Sequence, residues 1–188
     1  MCFVNRVLWI YTVSVMNSWK KLKEETVFEG FRKISRVIFR RGDGKEEDYD
    51  VLMDGEVVCA LVLTSEQKVV LAKQYRPGPE KVLLELPGGA VDDGEDPQEA
   101  MARELLEETG YAGELEFVGM SWHDGYSRRL RYNFVVKNAK RVSEQNPDDV
   151  WRIDVVEMPL DAFREHLRSG ELTDSTTGYT GLEHLGLL

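Results

Sequence analysis

Hydrophobic and polar residues are distributed along this chain in runs of the length typical of β-strands. From Thr26 to Arg40 β-branched and aromatic residues recur, and an extended pattern resumes from Asp48 to Met53 after Arg41-Gly42-Asp43-Gly44. These four residues favour a turn, so we predict a hairpin. A nearly continuous apolar run over Glu56 to Leu63 predicts a strand that is buried on both faces.

Shorter extended segments follow, separated by residues that favour turns. These predicted strands are Lys68–Tyr75, Val82–Leu86, Leu115–Trp122, Leu130–Val136 and Val150–Val156. Two helices are predicted near the end of the sequence, over Leu160–Ser169 and Ser175–Leu185. Strands mixed with a few helices, with no internal repeat, predict an α/β or α+β fold built on a layered sheet.

The most clearly marked helix begins at Asp96, which is a good N-cap. Pro97 occupies the favoured first helical position, and the residues that follow are mostly good helix formers. Gly110 is the expected C-terminal stop after Thr109. We therefore predict a helix up to Thr109.

Composition and charge narrow the class of protein. Its 188 residues suit one sizeable core, and 42% apolar with 31% charged residues is typical of a folded globular protein. The formal charge of -10 argues against binding to nucleic acid or to an anionic membrane surface. Cys2 and Cys59 imply no disulfide framework, so we expect a cytoplasmic location.

The apolar stretch from Val7 to Met16 is about ten residues long, whereas a membrane span needs about twenty. No small-residue cleavage pattern precedes Trp19, so a secretory signal is not indicated. We interpret residues 1–18 as an N-terminal extension and expect translation to start naturally at Met16.

Three glutamates share one face of the predicted helix. At about 100° per residue, Glu104, Glu107 and Glu108 fall within a sector of roughly 100°. Like charges at this spacing repel one another, which destabilises the helix unless a cation lies among them. Clustered carboxylate oxygens suit Mg²⁺ or Mn²⁺. The alternative interpretation is a solvated acidic face, which is common on helices.

A wider spacing pattern decides between these two interpretations. It consists of Gly89, Glu95, Arg103-Glu104-Leu105, Glu107-Glu108, Gly110 and Tyr111. Seven fixed identities, each expected at about one in fifteen, give a chance probability on the order of 10⁻⁸ per starting position. The spacing resembles the Nudix box, the signature of the Nudix hydrolase family. Tyr111 is the one departure, because the family usually has an aliphatic residue there.

This resemblance implies the Nudix fold, an α/β/α sandwich around a mixed β-sheet. It also implies that Glu104, Glu107 and Glu108, joined by the carbonyl of Gly88, bind Mg²⁺ or Mn²⁺. Arg103 lies one turn from Glu107 and is suited to orient it. The implied reaction is attack by a metal-activated water on a diphosphate that is linked to a further group.

The resemblance extends over nearly the whole chain from about Trp19. It is closest to the branch of ADP-ribose and nucleoside diphosphate sugar pyrophosphatases. The stretches that carry it are Gln74-Tyr75-Arg76 with Pro77-Gly78, Glu85-Leu86-Pro87-Gly88-Gly89, the strands before Asp54, and Gly170-Glu171-Leu172 with Asp174. The implied products are a nucleoside monophosphate and a sugar phosphate.

Substrate-binding residues are predicted from the same branch. Arg76 is a candidate clamp for the diphosphate, because a guanidinium holds phosphate oxygens bidentately. Gly89 lets the backbone approach the substrate closely. Glu85 is expected either to contact a ribose hydroxyl or to form a buried ion pair with Arg76.

One loop departs from the branch. Where an acidic residue usually serves as base or metal ligand, this chain reads His123-Asp124-Gly125-Tyr126-Ser127-Arg128-Arg129, so arginine has replaced the acid. The general base is then expected at Glu108 or Asp124, with Asp148 and Asp149 as further candidates.

The same loop leaves the substrate open. Tyr126 lies near the position where Nudix enzymes for dinucleoside polyphosphates carry a tyrosine, and Arg128, Arg129 and Arg131 suit a more anionic ligand. Hydrolysis of dinucleoside polyphosphates, nucleoside triphosphates or coenzyme A is therefore an alternative. A non-catalytic sensor of ADP-ribose is a third hypothesis, since the loop acid is missing.

The branch also implies an assembly. In it, N-terminal strands pair with a second subunit, so we expect residues 19–55 to form a homodimer and residues 56–188 to form the Nudix hydrolase domain. A strand-rich N-terminal hairpin is independently an edge that favours being covered.

Overall fold

A computed structural model describes residues 19–145 and 153–188. The chain forms two compact units, one up to Met53 and the other from Asp54 to Leu188. The N-terminal extension expected over residues 1–18 and the candidate bases Asp148 and Asp149 lie outside the described residues.

The first unit contains a three-stranded antiparallel sheet. Its strands are β1 (Lys20–Glu29), β2 (Lys33–Arg40) and β3 (Glu46–Leu52), in the order β1-β2-β3. The predicted hairpin is present as β2 and β3. The stretch from Thr26 to Arg40, which precedes the turn of the predicted hairpin, is divided between two strands, because the chain reverses at residues 30–32 and β1 then pairs with β2. A hydrogen bond of 3.0 Å from Gly30 N to the Arg32 carbonyl closes this reversal.

The second unit contains seven strands. They are β4 (Val57–Thr64), β5 (Lys68–Arg76), β6 (Lys81–Glu85), β7 (Gly88–Ala90), β8 (Tyr111–Trp122), β9 (Leu130–Arg141) and β10 (Asp154–Pro159). The order is β10-β5-β4-β9-β8, with β6 added to β5 and β7 added to β4. Strands β4 and β9 run parallel and the other pairs are antiparallel. The sheet is therefore mixed, as predicted.

Helices cover both faces of this sheet. On one face lies α1 (Pro97–Thr109), and its Met101 packs with buried residues of β4 and β9. On the other face lie α2 (Leu160–Arg168) and α3 (Ser175–His184), which contribute Phe163 and Leu182 to a second buried cluster. The predicted α/β/α sandwich is confirmed, and β4 is buried along both faces as its apolar sequence indicated.

Several boundaries differ from the sequence predictions. Strand β8 starts at Tyr111 rather than Leu115, and β9 continues to Arg141 rather than ending at Val136. These added residues are mostly polar and exposed, so they lack the apolar pattern by which a strand is recognised. Strand β7 was not predicted, because two of its three residues are glycines and it is defined only by pairing with β4. The strand predicted over Val150–Val156 lies at β10, with residues 150–152 outside the described part.

Strand β4 positions the functional region. Its Val58 is in register with Gly89 of β7 on one side and with Tyr132 of β9 on the other. The Gly88-Gly89 segment thus lies beside the central strand, and α1 packs against the same segment. Within the described residues, no helix is both long enough and apolar enough to cross a membrane.

Candidate active site

Both ends of α1 are fixed by its own sequence. The Asp96 carboxylate accepts a hydrogen bond of 2.8 Å from the backbone N–H of Gln98, and Pro97 follows as the first helical residue. At the other end, Gly110 has φ of 73°, a conformation that glycine adopts without strain, and its N–H donates to the Leu106 carbonyl. The predicted helix is confirmed, and its caps set which side chains face the Gly88-Gly89 segment.

Arg103 connects the carboxylates of the Nudix box. Its Nε and Nη2 donate to the two oxygens of Glu95 at 2.9 and 3.0 Å, and Nη2 also donates to the Ala90 carbonyl at 3.1 Å. Its Nη1 donates to Glu104 at 2.9 Å and to Glu107 at 3.1 Å. One guanidinium therefore ties β7, the loop before the helix and two helical glutamates together, and the expected contact of Arg103 with Glu107 is present.

The charges at this point strongly affect one another. Hydrogen bonds from Arg103 and from the Asp92 amide lower the pKa of Glu95 to about 2. The Glu95 carboxylate in turn raises the pKa of Arg103, so both groups are ionised at neutral pH. This pair provides a fixed frame beside the other glutamates.

Glu108 has a different environment from the other box carboxylates. One of its oxygens accepts a hydrogen bond of 3.0 Å from the Gly88 amide. Burial raises the pKa of Glu108 to about 8, although the Gly88 hydrogen bond acts in the opposite direction. Without a nearby cation, a proton is therefore retained on this carboxyl group near neutral pH.

The two glycines are required by close contacts on both sides of β7. A Cβ atom on Gly89 would lie 2.3 Å from the carboxyl carbon of Glu104. A Cβ atom on Gly88 would lie 2.2 Å from the carbonyl oxygen of Val58. Both distances are too short for real atoms, so Gly89 admits the Glu104 carboxylate and Gly88 admits the central strand.

The carboxylate oxygens at this site are suitable ligands for a divalent cation. Within residues 19–145 and 153–188, however, no three acidic, histidine or cysteine side chains are already arranged to bind a metal ion. Glu104 and Glu107 face Arg103 instead. Burial raises the pKa of Glu104 as well, so a positive charge that approached Glu104 and Glu108 would favour their ionised forms. Carboxylate oxygens are the ligands that Mg²⁺ and Mn²⁺ prefer. The residues present therefore fit such an ion.

A second group, made of four charged residues and one threonine, lies on other elements of the same unit. We call it the arginine cluster, and it consists of Arg76, Glu85, Arg131, Thr173 and Asp174. Arg76 Nε donates to Glu85 at 2.5 Å, and the Thr173 hydroxyl donates to the other oxygen of Glu85. Arg131 pairs with Asp174 at 2.9 Å. Of the two alternatives for Glu85, the buried ion pair with Arg76 is present in the structure.

The arginine cluster lies within electrostatic reach of the Nudix box. The charge of Arg76 lowers the pKa of Glu108, and the charge of Asp174 raises it. Burial raises the pKa of Asp174 itself, while Arg131 acts to lower it. Sequence reasoning identified Arg76, Glu85 and Asp174 but missed Thr173, because no local pattern marks a threonine that bonds to a residue 88 positions away.

The loop from His123 to Arg129 forms a closed turn of its own. The His123 amide donates to the Arg129 carbonyl at 3.1 Å, and the Asp124 carboxylate accepts from the Tyr126 amide at 2.6 Å. The Arg129 side chain is paired with Asp54. Arg128 and Tyr126 are exposed, as are His123 and Asp124 in the same loop.

With this geometry defined, comparison with known proteins identifies the family. The NUDIX domain matches residues 53–175, which include the whole box and the arginine cluster. The half-buried carboxylates of α1 and the Gly88-Gly89 segment both lie within the matched region. The chain belongs to the Nudix hydrolase family.

Two relatives and one solved structure show which members of the family this chain is similar to. The GDP-mannose pyrophosphatase of Cronobacter sakazakii is 30% identical over 185 residues, which cover 88% of this chain and 94% of that protein. The ADP-ribose pyrophosphatase of Bacillus subtilis is 26% identical over 140 residues, which cover 73% and 76%. The crystal structure of an ADP compounds hydrolase superposes with a TM-score of 0.75 at 22% identity, over 90% of this chain and 97% of that chain, and has the same fold.

Proposed function

We propose that this protein hydrolyses the diphosphate of ADP-ribose or of a related nucleoside diphosphate sugar, with release of a nucleoside monophosphate and a sugar phosphate. The observation that carries the proposal is the Nudix box, in which Arg103 joins Glu95, Glu104 and Glu107 while Glu108 bonds to Gly88. The names of the two pyrophosphatase relatives support this choice of substrate class.

Mg²⁺, or Mn²⁺ in its place, is the proposed cofactor. Glu104, Glu107, Glu108 and the carbonyl of Gly88 would hold it. When bound, such an ion lowers the pKa of a ligated water and so supplies a hydroxide nucleophile at neutral pH. Arg103 bonds to both Glu104 and Glu107, so it restricts the freedom of these two carboxylates before any ion binds.

The proton of the attacking water needs an acceptor, and two carboxylates are candidates. Glu108 is half-buried beside the other box residues, and it accepts a hydrogen bond from the Gly88 amide. Asp124 lies in the exposed loop, where its carboxylate already accepts from the Tyr126 amide. We favour Glu108, because it lies beside the other box carboxylates on α1, whereas Asp124 lies in an exposed loop on another part of the chain.

Four further residues are proposed to contact the substrate. Arg76 offers its guanidinium to the diphosphate, and Gly89 allows phosphate oxygens to approach the backbone. Arg128 and Tyr126 extend from the exposed loop toward the remainder of the ligand. Arg129, which is paired with Asp54, shapes the loop and contributes its charge to the same region.

A second candidate function has one observation in its favour. Tyr126 is 63% exposed and lies beside Arg128, a combination that suits stacking on a base and binding of an additional phosphate. Hydrolysis of a dinucleoside polyphosphate, a nucleoside triphosphate or coenzyme A would use the same box. The chemistry is unchanged, and only the leaving group differs.

The deciding experiment measures phosphate release, with and without added phosphatase, from ADP-ribose, GDP-mannose, UDP-glucose, diadenosine polyphosphates and deoxynucleoside triphosphates. Each assay is run once with Mg²⁺ and once with EDTA. The parent protein is compared with Glu108→Gln and with the matched variant Asp124→Asn. We expect Mg²⁺-dependent turnover of ADP-ribose or a nucleotide sugar, reduced on the order of 10²–10⁴-fold by Glu108→Gln. Binding of ADP-ribose without turnover of any compound would instead indicate a sensor.

The N-terminal strands are proposed to form a homodimer, and we expect the protein to act in the cytoplasm. Large apolar side chains of the first unit are exposed, including Phe28 at 56%, Phe31 at 96% and Trp19 at 48%. Covering them against a second copy would remove this apolar surface from water. Sedimentation that shows a monomer at micromolar concentration would contradict this assembly.

A further inference from the structure

The guanidinium of Arg76 has two edges in different situations. Its Nε is bound to Glu85 at 2.5 Å. Within residues 19–145 and 153–188, Nη1 and Nη2 have no hydrogen-bond partner, and the side chain is 41% exposed. One edge is thus fixed to the protein while the other faces outward, with two parallel donors of the kind that match phosphate oxygens.

Glu85, the partner of Arg76, is a fully buried carboxylate. A buried charge is tolerated only when it is paired and hydrogen-bonded, and both of its oxygens are used. Oε2 accepts from Arg76, and Oε1 accepts from the Thr173 hydroxyl. Glu85 therefore has one orientation, which is set on one side by Arg76 and on the other by Thr173.

Thr173 is itself held in place by its neighbours. The next residue, Asp174, pairs with Arg131 of β9 at 2.9 Å. One turn into α3, the Thr177 hydroxyl donates to the Asn133 side chain of β9 at 2.6 Å. The segment that presents the Thr173 hydroxyl is therefore anchored to the central sheet at two points.

We propose that Thr173 and Glu85 are positioning residues that hold the outward edge of Arg76 in the orientation that binds a diphosphate. This inference rests on the proposed function, since it assigns Arg76 to the phosphates of the substrate. A free arginine loses much side-chain freedom when it binds, whereas an arginine that is already oriented loses less. By fixing Glu85, Thr173 restricts the Arg76 side chain before the substrate binds, so less side-chain entropy is lost on binding.

The position of Arg76 relative to the box agrees with this assignment. Glu85, which bonds to Arg76, lies three residues before Gly88, whose amide bonds to Glu108. A diphosphate that is attacked beside Glu108 would thus lie within reach of Arg76. Positioning of Arg76 should then affect substrate affinity more than the chemical step.

The test uses Thr173→Val, which keeps the shape of the side chain and removes the hydroxyl donor. We expect KM for ADP-ribose to rise roughly 3- to 10-fold while kcat changes by less than about twofold. Affinity for ADP-ribose, measured by isothermal titration in EDTA, should weaken by the same factor. Thr173→Ser restores the hydroxyl and should restore both quantities.

Two controls separate positioning from a structural effect. Thr180→Val removes a hydroxyl of α3 whose hydrogen bonds, among the described residues, go to backbone carbonyls of its own helix, and it should leave KM and affinity unchanged. Arg76→Lys keeps a positive charge beside Glu85 but loses the two parallel donors, so KM should rise. In that background, adding Thr173→Val should change KM by less than about twofold, because Thr173 acts through Arg76.

The outcomes are distinct. If Thr173→Val lowers the melting temperature but leaves KM and ADP-ribose affinity within about twofold of the parent protein, the positioning role is wrong. If the parent protein hydrolyses none of the diphosphates, the proposed function fails, and the titration with ADP-ribose still decides this inference. Absence of ADP-ribose binding by the parent protein overturns the positioning role as well.

Discussion

The Nudix box and the arginine cluster show two different ways of assembling charged groups. In the box, Arg103 bonds to Glu104, Glu107 and Glu95, which are one, four and eight residues away. In the arginine cluster, Glu85 bonds to Thr173 across 88 residues. The box is organised mainly by one capped helix, whereas the cluster exists only when three separate parts of the fold meet.

This difference shows which interactions local sequence specifies and which the tertiary structure supplies. A helix with fixed ends places residues three and four apart on one face, so the box geometry follows from spacing. The partners of Arg76 and Arg131 have no such spacing rule, because they depend on how β6, β9 and the segment before α3 pack together. Breaking either region should therefore have different consequences.

The largest expected effect is the change that ionisation of Glu108 makes to the free energy of unfolding. In the metal-free protein its folded pKa is about 8, compared with an unfolded value near 4.5. The folded state then holds this proton more tightly, so the contribution of Glu108 to stability is largest at low pH and falls as pH rises from about 4.5 to 8, by roughly 1.4 kcal/mol per pH unit and several kcal/mol in total. Urea unfolding in EDTA at about pH 5, 6.5 and 8 measures this slope.

Glu108→Gln should remove most of that slope, because the amide carries no charge at any of these pH values. Glu99→Gln, on the exposed side of the first turn of α1, is the matched control and should leave the slope unchanged. Mg²⁺ should stabilise the parent protein more than the Gln variant at high pH. Equal slopes in the parent and Glu108→Gln proteins would contradict the burial of this carboxylate.

The next effect concerns Arg103. Arg103→Lys keeps the positive charge but cannot reach Glu95, Ala90, Glu104 and Glu107 at the same time, because lysine lacks the planar fork. We expect kcat to fall roughly 10- to 100-fold, the size typical of residues that orient metal ligands. Steady-state kinetics with ADP-ribose tests this.

Arg168→Lys serves as the control for Arg103, since Arg168 is exposed and, within the part of the chain that the structure describes, its side chain bonds to the Arg164 carbonyl of its own helix. It should have wild-type kinetics. Retention of full activity by Arg103→Lys would mean that the box is held by α1 alone, without the guanidinium.

The smallest effect on kcat is expected for substitutions in the loop from His123 to Arg129. Arg128→Glu places an acidic residue in the loop from His123 to Arg129, where the resemblance implies an acid and this chain has Arg128 and Arg129. If Glu108 is the base, kcat should change by no more than about fivefold, as for other exposed charge changes. Arg128→Gln separates loss of the positive charge from gain of the acid. If kcat rises by much more than fivefold in Arg128→Glu and not in Arg128→Gln, the general base is an acidic residue of the loop rather than Glu108.

Much of the fold could be predicted from the sequence because its signals are local. Asp96, Pro97 and Gly110 fix α1, and the apolar run over β4 marks a strand buried on both faces. The seven fixed residues of the box then led to the Nudix fold and to the face that carries Glu104, Glu107 and Glu108. These predictions succeeded because capping and helical spacing act over only a few residues.

The rest depends on partners that are distant in sequence. Strand β7 exists because Gly88 and Gly89 pair with β4, and no residue of β7 signals this by itself. The reversal at residues 30–32 has only Gly30 as a turn residue within a long β-prone segment. Thr173 is an ordinary loop threonine until Glu85 is placed opposite it. Each of these features is created by tertiary packing rather than by local preference.

The separation between Glu85 and Thr173 also sets an order of events during synthesis on the ribosome. The caps and the Arg103 contacts of α1 become available as soon as residue 110 has emerged. Glu85 must wait for a hydroxyl that is 88 residues further along the chain. At about 5–20 residues per second, that delay is roughly 4 to 18 seconds. The nascent protein therefore carries its acidic box before the arginine that is proposed to receive the diphosphate has been fixed in place.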